Sequence, residues 1–383
     1  MYRPLETSEV DHLGDLVATS FNFPPDMARR WIEVSGTCNW RVLEEAGRLL
    51  GGLMLIPMGQ WFQGKRVSMT GLAGVVVDAR ARGRGVGQKL ISQALSDMRE
   101  SGAAVSALYA STNSFYRRTG YETAGANYEL EVNLKELSAR SGSLEIRTLT
   151  EQQTAEVEAL QRGWMTDHAS LDRGPYVWHR VRNPRGVQTE QFGFYSEDKL
   201  EGYVFWKRSA FKGQESELEI SDLVLTTPAA HRTFWSFLAG HRALFGKARW
   251  LTFSSSPWVL AMSDPWNFKL SLHSHWMLRL VELKKALESR GYAPGSRGQI
   301  HFEVEDSIVS ENSGRWVLNL SEKTIQKGGE GAVKLDIGAF GSLYSGFLSA
   351  TQLAASGRLT GPTEQIKKAD RAFAGEPRLR DFF

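Results

Sequence analysis

The sequence predicts a mixed α/β (α+β) fold: two tandem mixed-sheet units of related order, then a third, smaller α/β unit. Three observations carry this expectation. The chain has 383 residues, too many for one ordinary core. A β-branched strand runs through a glycine-rich loop into a helix at residues 74–90, as in the crossover of a mixed sheet. A similar strand, break and helix recur at an offset of 148, which sets Val77 on Leu225, Arg84 on Arg232 and Leu90 on Leu238. Such an echo implies a duplicated fold.

The first unit spans residues 1–137. Leu13, Leu16, Val17 and Phe21 recur at helical spacing, and Pro24-Pro25 end that helix. A second helix is expected over 27–34. Strands follow at 40–44, 51–58 and 67–77. A break at 78–87 leads into a helix over 88–99, a strand at 105–109, a short helix over 113–119 and a strand at 128–133. Polar residues 138–143 read as a linker. The second unit, 143–275, opens with a strand at 144–148 and a helix over 151–163. Hairpin strands at 192–196 and 202–208, a strand at 218–225 and a helix over 232–244 complete it. The third unit, 276–383, has a helix over 281–289 and strands at 301–305 and 314–320 around the polar turn SENSG. A strand at 333–337 and helical pieces over 340–346, 349–356 and 362–373 follow. The last residues are Asp381, Phe382 and Phe383. Free tails are polar, so an aromatic end points to a packed one.

Composition excludes several classes. A net charge of +3 without a dense Lys/Arg block argues against a nucleic-acid groove. Trp164, Trp178, Trp206, Trp235, Trp250, Trp258, Trp266 and Trp276 lack interleaved basic residues, so they read as core and interdomain packing. No run approaches the roughly eighteen apolar residues of a membrane span. The N-terminal stretch is acidic and lacks an apolar signal core, so the cytoplasm is the expected location. Cys38 is the only cysteine; it reads as a small buried hydrophobe and rules out internal disulfides and thiolate clusters. His273 and His275 stand two apart without an evident carboxylate, so no metal site is expected.

Chemistry concentrates at GVVVDARARGRGVGQKL, residues 74–90. Glycines let main-chain N–H groups curl around an anion, and the following helix presents the positive end of its dipole. Arg82 and Arg84 can neutralise phosphates. The pattern is neither the dinucleotide fingerprint nor a Walker loop, since no Gly-Lys-Ser/Thr follows. In the second unit Gly83, Gly85 and Gly87 fall on His231, Thr233 and Trp235. That copy is therefore expected to lack a nucleotide site.

These residues resemble the GCN5-related N-acetyltransferase superfamily, whose signature is [RQ]-x-x-G-x-[GA] after a strand that splays from its neighbour. The resemblance implies acetyl-CoA as co-substrate, with no metal. Val75, Val76 and Val77 would hold the pantetheine arm. Arg82, Gly83, Arg84, Gly85, Val86, Gly87 and Gln88 would hold the pyrophosphate. A second stretch, ALYASTNSFYRRTGYE at 107–122, matches the superfamily's [F/Y]-Y-x-[K/R]-x-G-[F/Y]. It implies Tyr116 as general acid beside the coenzyme sulfur, with Ser111 and Thr112 lining the cofactor. A phenol near pKa 10 protonating a thiolate of pKa about 8.5 is mildly uphill.

The layout as a whole resembles the Eis (enhanced intracellular survival) family. In that family a decayed second acetyltransferase copy precedes a domain similar to sterol carrier protein 2. The run GRWVLNLSEKT…AVKLDIGAFGSLYSGFLSATQLAASGRL fits that third domain. The resemblance implies a homo-oligomer, a hexamer, and a chain-terminal carboxylate, here on Phe383, as base in the first unit's site. The acidic residue often found before the last Phe is missing; Asp381 offers a carboxylate one position earlier. An α-carboxylate near 3.5 is a weak base toward an ammonium near 10, so burial, a water relay or a purely supporting role is needed. Asp26 and Trp31 are the expected acceptor-binding residues; Trp31 reads equally well as a core staple between the two helices, and Phe21 reads better as one. The implied function is acetyl transfer to primary amines, aminoglycoside- or polyamine-like, directly in a ternary complex. A protein lysine is an alternative acceptor, and lipid binding by the third domain is an alternative of another class.

Overall fold

The computed structural model describes all residues except 138–141, 165, 167, 210–215, 256–263, 265 and 267. Most of the expected linker, and Trp258, lie outside the described residues. The first two units share one mixed sheet. From one edge its order is Tyr2–Pro4, Trp40–Glu45, Arg48–Phe62, Lys65–Val77, Val105–Leu108, Phe268–Leu280, Glu122–Asn133, Lys247–Thr252, Glu217–Leu225, Lys199–Ser209, Glu190–Ser196 and Glu145–Thr148. His168–Asp172 pairs off this path, on Arg48–Phe62.

Alternation along Lys65–Val77 sets the two faces. Val76 joins the core under the helices Val10–Phe21 and Pro25–Ser35, where Leu13, Val17, Ala28 and Ile32 are buried. Val75 and Val77 point the other way. There they meet the helix Val86–Glu100 through a core containing Leu90, Ile91, Ala94 and Leu95. Each fully buried Val, Leu or Ile among them contributes about 1.5–3 kcal/mol. Asn22 in the left-handed region (φ 54°) closes the first helix. Pro25 at the first helical position starts the next.

The late strand Phe268–Leu280 lies between Val105–Leu108 and Glu122–Asn133. Glu122–Asn133 also pairs with Lys247–Thr252. The two units thus exchange strands, and the expected division between residues 275 and 276 falls inside one of them. The third unit has its own sheet, ordered Thr324–Lys327, Gly314–Asn319, Gln299–Glu305, Val333–Asp336, Leu359–Thr360. It docks through the helix Ile337–Ser345, which is buried along its whole length. Small residues make that approach possible: a Cβ on Gly341 would lie 2.7 Å from the Leu278 carbonyl oxygen. Arg279 and Asp306, both fully buried and 2.8 Å apart, tie the exchanged strand to the third unit. Phe302, Phe340 and Phe373 fill that unit's interior.

The structure differs from the sequence expectation in several places. The helix expected over 232–244 is Pro228–Gly240, because Thr227 caps it and Pro228 starts it. Ile337 begins a helix rather than ending a strand, because the Asp336 side chain accepts from Ala339 N. The helix Pro175–Arg182 and the strands His168–Asp172, Lys247–Thr252 and Thr324–Lys327 were not expected. Cys38 is exposed rather than buried. Trp266 is 90% exposed, whereas Trp178, Trp206, Trp235, Trp250 and Trp276 are buried as expected.

Candidate active site

Parallel pairing between Lys65–Val77 and Val105–Leu108 covers only Met69↔Val105, Thr70↔Ser106 and Gly71↔Ala107. Beyond Gly71 the first strand continues to Val77 with a partner on its other side alone. The two strands therefore open into a V whose main-chain groups are free to bind. A bulge deepens the opening. The register slips between Gly52 and Met54, opposite Gly74 at φ +59°. A Cβ on Gly74 would lie 2.6 Å from the Trp40 ring and 3.3 Å from Trp31, so glycine is required there.

Asp78 follows the strand and caps the turn Ala79–Ala81, accepting from Arg80 N at 2.9 Å. Hydrogen bonds from Arg80 and then Arg48 hold its carboxyl far below the usual carboxylate range. Gly83 and Gly85 have φ +78° and +76°, and a Cβ on either would meet nothing within 4 Å. Backbone conformation, not crowding, selects glycine at both. Arg82, Gly83, Arg84, Gly85 and Gln88 are exposed, and Val86 is buried as the helix anchor. Arg84 pairs with Glu45 at 2.8 Å on the surface. Gly87 has another reason to be glycine: a Cβ would lie 2.9 Å from the Phe115 ring. It seats the helix against the next part of the site.

Tyr116 stands on the short helix Asn113–Arg117 and is buried. It meets Phe115 edge-on at 4.9 Å and Tyr121 at 6.2 Å. Burial, reinforced by Tyr121, pushes its phenol up to about 12. Tyr121 is fixed by Ser106 at 2.8 Å, and Ser106 by the Thr70 carbonyl at 2.7 Å. Ser111 and Thr112 are exposed just before this helix. The chain terminus arrives from the third unit. Phe383 is buried, and a Cβ on Gly71 would lie 2.7 Å from its ring. The terminus thus packs where the two strands part. Tyr109 donates to the Asp381 carbonyl at 2.9 Å, and its ring lies tilted against that of Phe382 with centroids 4.4 Å apart.

The expected acceptor residues separate. Trp31 is half-buried and donates to the Tyr176 hydroxyl at 2.6 Å. Asp26 is fully exposed, with Arg29 3.5 Å away. Asp381 is committed elsewhere: Arg173 Nη2 holds its carboxylate at 2.6 Å, and both side chains are buried.

Family models match the chain in three places. Two describe an acetyltransferase (GNAT) domain, over residues 1–124 and 169–280. The third describes a sterol carrier protein domain, over 283–379. The N-acetyltransferase Eis of Mycobacterium tuberculosis is 26% identical over 335 residues, covering 82% of this chain and 80% of that protein. The crystal structure of a GCN5-related N-acetyltransferase from Anabaena variabilis superposes with a TM-score of 0.94 at 29% identity, covering 100% of both chains. Eis1 of Mycobacterium abscessus shares the fold, with a TM-score of 0.80 at 20% identity and 100% coverage of both.

The chain is an Eis-like GCN5-related N-acetyltransferase.

The acetyltransferase's second copy keeps the V but not the loop. Glu217–Leu225 pairs in parallel with Lys247–Thr252 only from Glu217 to Ile220. Only Thr226 and Thr227 then separate Leu225 from the helix Pro228–Gly240. This corrects the alignment at offset 148. His231, Thr233 and Trp235 are residues inside that helix, not replacements of loop glycines. The Thr227 side chain already accepts from Ala230 N at 3.1 Å, and Pro228 has no N–H to offer.

The second V instead grips the terminus of the acetyltransferase. Asp222, just beyond the point of parting, accepts from Arg173 at 2.9 Å, Arg380 at 2.7 Å and Tyr203 at 2.7 Å. Burial pushes its carboxyl up, but the charges of Arg173 and Arg380 outweigh this and hold it at about 2. Sequence reading missed this cluster, because a buried arginine leaves no periodic signal. Removing one member of a buried ion network costs about 3–5 kcal/mol. Asp222→Ala is accordingly expected to destabilise the protein by about that much, read from denaturant midpoints. A change below about 1 kcal/mol would show that the network holds nothing. Because the folded pKa is depressed, this stabilisation is complete above about pH 4 and is lost as pH falls toward 2.

Proposed function

We propose that the protein transfers acetyl from acetyl-CoA to a primary amine by direct attack in a ternary complex. The observation that carries this reading is the V beyond Gly71 leading into the glycine loop and the helix Val86–Glu100. In it, Val75, Val76 and Val77 hold the pantetheine arm through main-chain groups. Gly83, Gly85 and the first amides of the helix, at Val86, Gly87 and Gln88, hold the pyrophosphate, with Arg82 and Arg84 offsetting its charge. Ser111 and Thr112 border the coenzyme. Tyr116 donates to the departing sulfur. The Phe383 carboxylate accepts the amine proton or stabilises the charge that develops on nitrogen. When bound, acetyl-CoA supplies the activated thioester.

Titration calorimetry on the full chain is expected to find one acetyl-CoA per protomer, since the second unit lacks the loop. Gly85→Glu is expected to abolish that binding. A Cβ there meets nothing, so the lesion is not steric. The added carboxylate repels the pyrophosphate, and φ +76° strains any L-residue by about 1–2 kcal/mol. Two equivalent sites, or unchanged affinity in the variant, would refute the assignment.

A further inference from the structure

Beside the tail lies a cation that the reaction so far leaves unused. Arg180 is half-buried on the helix Pro175–Arg182. Its guanidinium stands 5.7 Å over the Phe382 ring and 6.0 Å from that of Tyr176. Its hydrogen bond to the Tyr176 hydroxyl is long, 3.4 Å, and that hydroxyl already accepts from Trp31 at 2.6 Å. Among the described residues no Asp or Glu carboxylate lies within ion-pair distance of Arg180. The acidic side chains of the tail region are taken, Asp381 by Arg173 and Asp222 by Arg173 and Arg380, and the terminal carboxylate of Phe383 is assigned above to the amine. A permanently charged guanidinium seated against two rings keeps its fork of donors available to an anion.

Position makes the vacancy of partners meaningful. Trp31 reaches back to the Gly74 bulge, and Phe382 precedes the residue packed at Gly71. Arg180 therefore faces the acceptor side of the V, between the helices Pro25–Ser35 and Pro175–Arg182. On the first of these, Arg30 is exposed and also lacks a carboxylate partner among the described residues. Burial, and then the charge of Arg30, hold the neighbouring His179 imidazole below its usual range. Asp26, the one residue expected to attract cations there, points to solvent. The guanidinium groups of Arg180 and Arg30 at this entrance favour a molecule with an anionic end.

We infer that Arg180 binds a carboxylate carried by the acceptor, so that the substrate class is primary amines bearing a carboxylate beside an apolar body. The inference rests on the amine-acetyltransferase reading above. The guanidinium fork pairs with a carboxylate, the rings of Tyr176, Trp31 and Phe382 flank the body, and the amine is directed toward the V.

Matched acceptors test this on the full-length protein, with thiol release as the readout. Nα-acetyl-L-lysine and its carboxamide present the same ε-amine with and without a carboxylate. Phenylalanine and phenylalaninamide do so with the charge next to the amine. A charge-assisted hydrogen bond sets the expected preference in kcat/KM for at least one carboxylate at roughly tenfold to a hundredfold, expressed mainly in KM. Arg180→Gln should erase that preference while leaving the amide of the same pair within about twofold of wild type. Arg180→Lys should restore part of it, because a point charge keeps attraction but loses the fork. Equal rates for acid and amide in both wild-type pairs would overturn the inference. So would an Arg180→Gln loss that is equal for acid and amide, since Arg180 would then serve the tail. If no amine releases thiol although calorimetry shows acetyl-CoA bound, the transferase reading fails and takes this inference with it. Turnover of amides without preference sinks only the inference.

Discussion

Deletion of Phe383 abolishes turnover and leaves folding and acetyl-CoA affinity nearly intact: that is the outcome expected if the terminal carboxylate serves the reaction. The structure supplies the reason to separate the two effects. The tail is also held upstream of its last residue. Arg173 grips the Asp381 side chain, Tyr109 the Asp381 main chain, and Arg380 is bound to Asp222. Loss of Phe383 leaves all of these in place. The new terminal carboxylate, on Phe382, is drawn back by about 3.3–3.6 Å. Catalytic geometry tolerates far less, since a 1 Å misplacement can cost about 10²-fold. A C-terminal tag makes the same point differently. It converts the carboxylate to an amide and forces residues past Gly71, where the Phe383 ring already fills the space. The experiment compares an N-terminally tagged enzyme, a C-terminally tagged one and the truncation, by thiol release and by calorimetry. Equal turnover in all three would remove the terminus from the chemistry. Asp26 could not replace it, because its side chain faces solvent; the base would then be a water held by main-chain carbonyls.

The parts of this architecture that sequence reveals are those encoded within a few residues. Val75, Val76 and Val77, the loop glycines and the helix after them lie in one stretch, so their geometry follows from local rules. The buried side chains of Val10–Phe21 and Val86–Glu100 follow helical spacing in the same way. Non-local features were not legible. Nothing in Phe268–Leu280 says that it will insert between Val105–Leu108 and Glu122–Asn133, because a strand's partner is chosen by the whole sheet. The duplication showed the same limit. The strands of both copies end in register, at Val77 and Leu225, yet the second loop is shortened to Thr226 and Thr227. An alignment without a gap therefore placed helical residues on glycines. Asp26, expected to bind the acceptor, and Asp381, expected to supply acidity near the terminus, are not told apart in environment by sequence. Burial and partners separate them, one bare in solvent and one locked to Arg173.

Tyr116→Phe is expected to lower kcat by about 10²–10⁴-fold, the range for general acid catalysis, with little change in KM for acetyl-CoA. The phenol differs from the one that sequence alone suggests. Burial raises it to about 12, so it is a weaker acid than an unperturbed tyrosine near 10. Full proton transfer to a thiolate of pKa about 8.5 would then be uphill by more than three pH units. Two features compensate. The same burial disfavours a thiolate at that place and raises its proton affinity in step. A neutral donor aimed at the sulfur also needs only to strengthen its hydrogen bond as charge develops, without parting with the proton until the carbon–sulfur bond has broken. Nothing in the described structure competes for that donor, since the Tyr116 hydroxyl has no hydrogen-bond partner among the described residues. Tyr121 is occupied by Ser106. The pH profile provides a second check. A phenol titrating near 12 stays protonated to well above pH 10, so it gives kcat no alkaline limb below that. An alkaline limb near pH 9–10 that vanishes in Tyr116→Phe would contradict the raised value. An unchanged kcat in the variant would leave Tyr116 as packing against Phe115 and Tyr121.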